Sequence, residues 1–77
     1  MKVLGYKVMP SVEQACLSRM HSGWFSAANI AYVAERYGKL IGHSPIAYRI
    51  ADRLIQRERK NGNLRRFGKG WTWKPLP

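Results

Sequence analysis

Apolar residues recur at helical spacing in three stretches of the chain and alternate in a fourth. Val12, Cys16 and Met20 fall at i, i+4 and i+8 with Ala15 alongside, which predicts a first helix. Pro10-Ser11 opens it: Ser11 as N-cap and Gln14 three residues on form a capping-box pattern, and Gly23 supplies the stop. After Ser26, a second N-cap, Ala27, Ile30, Ala31, Ala34 and Tyr37 repeat the helical period until Gly38. Its alanines allow another helix to approach closely. Between these helices, Trp24-Phe25 reads as a buried aromatic stub. Ser44-Pro45 then pairs an N-cap with proline at the first helical position, so the third helix is predicted from Pro45 to Lys60, ended by Asn61-Gly62.

On a helical wheel, Ile46, Ala47, Ile50 and Leu54 share one side of the third helix. Tyr48, Arg49, Asp52, Gln56 and Arg59 share the other. Two residues fit badly. Arg57 falls on the apolar side and must snorkel unless the helix frays there. Ile55 falls near the polar side and could pack under a hairpin formed by the residues after Gly62.

Beyond Gly62 the period changes to two. Residues 63–67 read as a strand, Gly68-Lys69-Gly70 as a three-residue turn, and Trp71-Thr72-Trp73 as the returning strand. Trp71 and Trp73 share a face, where they either cover the core or stack on unpaired bases. A lone hairpin is marginal in water, so this one must rest on the helices. Residues 1–9 show no clear period and read as an arm or a short strand. The layout is thus one domain over 10–74, with a short tail at 75–77. Tyr32 and Tyr37 are expected in the core or at its rim.

Charge changes the picture. The chain has 77 residues, 14 of them Lys or Arg against 4 Asp or Glu, for a formal charge of +10. Nine of the basic residues, with two of the acids, lie from Arg49 onward. A composition 45% hydrophobic argues against a disordered basic tail. The basic segment is either a solvated face or an electrostatic footprint for phosphates. No stretch reads as a signal peptide or a membrane span, which points to a cytoplasmic protein, nucleoid-associated in a bacterium.

The order helix, aromatic stub, helix, turn, helix, basic hairpin resembles the winged helix-turn-helix family of DNA-binding domains. The residues that carry the resemblance are W-F-S-A-A-N-I-A-Y-V-A-E-R-Y-G, S-P-I-A-Y-R-I-A-D-R-L and G-N-L-R-R-F-G-K-G-W-T-W. It implies an α+β fold, a three-helix bundle with a C-terminal β-hairpin wing. It also implies that the third helix enters the major groove of double-stranded DNA, with Ser44, Tyr48, Arg49, Asp52 and Arg53 at base edges. Asp52 would accept from cytosine N4 or hold an arginine; Arg49 lies three residues before it. Backbone contacts would fall to Ser26, Gln56, Arg57, Arg59, Lys60, Arg65, Arg66 and Lys69. Ser26 qualifies because it opens the second helix, whose first N–H groups are a ready phosphate site.

Catalytic chemistry finds little support. Cys16, His21 and His43 lack the spacing of a zinc site, no cofactor motif occurs, and no acid is placed to orient an imidazole beside Ser18. The expected function is therefore DNA binding by a small transcriptional regulator or recombination accessory factor, similar to those of phages and other mobile elements. A homodimer or cooperative multimer would extend the half-site that one copy covers. The alternative is a protein-interaction module whose basic face binds an acidic partner from the transcription or replication machinery.

Overall fold

The computed structural model describes residues 2–74, so the tail expected at 75–77 lies outside the described residues. In chain order the elements are β1 (Lys2–Val3), β2 (Tyr6–Lys7), α1 (Pro10–His21), α2 (Ala27–Tyr37), α3 (Ser44–Lys60), β3 (Leu64–Phe67) and β4 (Gly70–Trp73). The result is a small α+β domain of three helices and a C-terminal antiparallel hairpin, with a second, shorter hairpin at the start.

Two helix starts differ from the sequence expectation. α1 begins at Pro10 with Met9 as N-cap, and the Ser11–Gln14 capping box does not form. Proline at the first position carries preset φ and no N–H, so the first turn closes on the Met9 carbonyl, which accepts from Val12 N at 3.0 Å and Glu13 N at 3.3 Å. In α3, likewise, Ser44 is the first helical residue and His43 the cap, with no side-chain bond. α2 is capped as expected: Asn29 N donates to Ser26 Oγ, and Ser26 N donates to Asn29 Oδ1 at 2.9 Å.

The core is built around one stripe of α3: Ala47, Ile50, Ala51, Leu54 and Ile55 are buried. Ile30, Ala31 and Ala34 of α2 and Val12, Cys16 and Met20 of α1 close over it. Each buried Ile or Leu contributes about 1.5–3 kcal/mol. Tyr37 and Tyr32, expected in or beside this core, are exposed. Tyr32 lies on the side of α2 away from the buried Ile30, Ala31 and Ala34, and Tyr37 is the last residue of the helix, at the end of that stripe.

Residues 2–9 do more than trail. Leu4 and Gly5, both at positive φ, turn the chain so that Val3 pairs with Tyr6. Val3 and Val8 enter the core, and the Tyr6 hydroxyl donates to the Gly38 carbonyl at 3.1 Å.

The aromatic stub divides. Phe25 is fully buried, as expected, but Trp24 is 44% exposed. Its indole N–H accounts for the difference: a polar edge is satisfied at the rim, donating to the Phe67 carbonyl at 2.8 Å. The turn of the C-terminal hairpin is also shorter than expected. Phe67 pairs with Gly70, leaving the two-residue loop Gly68-Lys69, with Gly68 at φ +61°. Gly70 serves packing instead: a Cβ there would sit 2.2 Å from the Phe25 carbonyl oxygen and 2.8 Å from the Trp24 ring.

Cys16 supplies a test of the core. Burial, then the nearby charge of Glu13, pushes its thiol up from 9.0 to about 11. The unfolded thiol ionises from the lower value while the folded one keeps its proton, so the folded state loses stability as pH rises from 9 to about 11. Cys16→Ala is expected to lack that part of the alkaline decline in urea midpoints. Equal declines in the two proteins would contradict the assignment.

Candidate nucleic-acid interface

The stripe that buries one side of α3 leaves the other side in water. Tyr48, Arg49, Asp52, Gln56 and Arg59 are exposed on it, as the wheel predicts, with Arg53 and Lys60 beside them, and Ser44 is exposed at the start of the helix. Asp52 forms no ion pair among the described residues, so the salt bridge open to Arg49 is not made. The side chains of Arg49 and Arg53 form no ion pair among the described residues either.

Arg57 is different. Its Nη1 donates to Glu13 Oε1 on α1 at 3.0 Å, and its Nε donates to Glu58 Oε2 at 2.9 Å. Its pKa is pushed up from the ordinary arginine value, first by the Glu58 hydrogen bond; partial burial opposes this and Glu13 adds to it. The badly fitting wheel position is thus resolved by two carboxylates, neither snorkelling freely nor fraying. Of the expected backbone contacts, Arg57 is the one already committed to holding two helices together.

Glu58 is a buried acid that the wheel does not single out. It lies four residues after Leu54, on the same buried stripe, and that spacing is the signal the sequence offers. Asn63 Nδ2 donates to its Oε1 at 2.8 Å, and Asn63 N donates to the Glu58 carbonyl at 2.9 Å. Lys74 N in turn donates to the Asn63 carbonyl at 2.8 Å. The end of α3 therefore fixes where β3 begins and β4 ends.

The hairpin is seated a second time through Trp71. Phe25 N donates to Trp71 O at 3.0 Å, and Trp71 N donates to Phe25 O at 2.8 Å, a single antiparallel bridge that adds Phe25 to the edge of β4. Trp71 and Trp73 both pack against the core, and Trp73 meets His21 edge-on at 3.9 Å between ring centres. Trp71 also carries charge on its ring. Arg59 from α3 and Arg66 from β3 place their guanidinium carbons 5.2 and 5.0 Å from its centre. Arg65, Arg66 and Lys69 are exposed along the hairpin.

Ser26 is half-buried and its hydroxyl is engaged by Asn29, so it serves first as a cap. A shallow cleft lies elsewhere, lined by Tyr32, Glu35, Arg36 and Ile41. Among the described residues no three His, Cys, Asp or Glu gather where they could hold a metal ion, and no helix is long and apolar enough to cross a membrane. Comparison with protein-family models, with curated proteins and with solved structures finds no match for this chain.

The two kinds of arginine separate on stability. Arg57→Ala, which strands a buried carboxylate oxygen, is expected to lose about 1–3 kcal/mol in urea unfolding. Arg49→Ala and Arg53→Ala are expected to change stability by less than about 0.5 kcal/mol. Similar losses at all three positions would contradict this division.

Proposed function

We propose that this chain is a winged-helix DNA-binding domain that lays α3 in the major groove and its C-terminal hairpin, as the wing, on the backbone or the adjacent minor groove. One observation carries the reading: Arg59 of the helix and Arg66 of the hairpin converge on Trp71, so the two elements present one cationic surface. The Phe25–Trp71 bridge supports it, because it docks the hairpin against the helical part of the chain. The charge supports it too. Of 14 basic residues, Arg57 is the one paired with an acid among the described residues, and a surface left so uncompensated suits a polyanion.

In this reading Arg49 or Arg53 forks to guanine O6 and N7, with Tyr48, Asp52 and Ser44 beside them at the base edges. Arg59, Lys60, Arg65, Arg66 and Lys69 meet phosphates, which set position without reading sequence. Ser26 is kept for the phosphate site at the start of α2 through its neighbouring amides. The site of action is the cytoplasm, on the nucleoid in a bacterium. Useful specificity comes from a dimer or adjacent copies, as a transcriptional regulator or a recombination accessory factor. The exposed Tyr32, Tyr37 and Ile41 favour, as the second reading, a module that binds a protein partner.

A duplex-binding titration across salt tests the choice. Five phosphate-contacting cations are expected to give a slope of about −4.5 in log K against log salt. Arg49→Ala combined with Arg53→Ala is expected to lose preference for a selected sequence while Trp71-centred backbone binding persists. A flat salt response removes the DNA reading and leaves the protein-binding one.

A further inference from the structure

DNA binding as proposed uses the cations of the wing but leaves its apolar tip idle. Phe67 is 59% exposed at the end of β3. Strand alternation puts it on the face opposite Leu64 and Arg66, together with Arg65. Its cross-strand partner is Gly70, which has no side chain to cover the ring. Its backbone is braced all the same, because the Trp24 indole N–H donates to its carbonyl and the Trp24 ring lies against Gly70. The loop beyond it is two residues long. An exposed aromatic ring thus stands at the tip on the Arg65 side of the hairpin, with Lys69 in the loop beyond it and Arg66 on the other face.

Resting on the DNA-binding reading, we propose that Phe67 is a base-stacking wedge. It enters between two base pairs from the minor groove, partly unstacks them and kinks the duplex. The ring gains stacking and leaves water, while the flanking cations hold the phosphates on either side. The ring has no hydrogen-bonding group, so it selects by deformability: pyrimidine–purine steps such as TA unstack most readily and are the preferred site. The wing then contributes sequence preference at a step where it makes no hydrogen bond to a base.

The test uses a duplex of ~25 base pairs with a central TA step and a donor and acceptor dye at its ends. The wild-type chain is expected to raise energy transfer as it binds, reporting a kink. Phe67→Ala, at an exposed position outside the core, is expected to bind about tenfold more weakly with the same salt slope and to leave the duplex straight. Phe67→Leu, still apolar, is expected to keep most of the kink. The wedge is overturned if Phe67→Ala bends the duplex as the wild type does, or if the wild type binds without bending it. Failure of the wild type to bind this duplex at any salt is a separate result, which overturns the DNA-binding reading and the wedge with it.

Discussion

Two backbone hydrogen bonds, from Phe25 N to Trp71 O and from Trp71 N to Phe25 O, join the helical part of the molecule to its hairpin. Strands of four residues do not hold together alone in water. Here one strand edge is paired with the buried Phe25, and Gly70 lets that edge come within contact of the Phe25 carbonyl and the Trp24 ring. Glu58 and Asn63 pin the other end. With the backbone of Trp71 fixed in this way, its ring becomes a platform of known position, and the two arginines over it inherit that position. Core packing, through one residue, thereby sets the spacing of surface charge.

That charge works against folding. A formal +10 on 77 residues means self-repulsion that hydrophobic burial must offset. Two of the four acids serve structure: Glu13 and Glu58 close on Arg57, and Glu58 also positions the hairpin. Asp52 lies on the outward side of α3 itself and pairs with none of its arginines among the described residues. Arg49 and Arg53 are thus left without an ion pair among the described residues, on the side of α3 that faces water.

The helices and the hairpin were legible because their signals are local. The Ala/Ile period of α2, the Ser26 cap, the Asn61-Gly62 stop and the outward face of α3 all follow from spacing along the chain. What escaped depends on contacts between distant segments. Ser11 and Ser44 look like caps, but the neighbouring prolines set the first turns on Met9 and His43 instead. Gly70 looks like a turn residue, yet its lack of a side chain answers to Phe25 and Trp24, far away in sequence. Tyr37 has the right period for the core but is the last residue of α2, where it stays exposed. At the site, the exposed residues of α3 can be read from the wheel. The engagement of Arg57 by Glu13 and the pairing of Arg59 with Arg66 over Trp71 cannot, since each joins elements that only the fold makes neighbours.

The central claim is that α3 and the hairpin form one nucleic-acid-binding surface. Backbone amide resonances followed while duplex DNA is added test it most directly. Shifts are expected to concentrate at Tyr48, Arg49, Asp52 and Arg53 and along Arg65 to Lys69, with Tyr32, Arg36 and Tyr37 unmoved. Shifts confined to the Tyr32–Tyr37 surface, or to α3 without the hairpin, would contradict it.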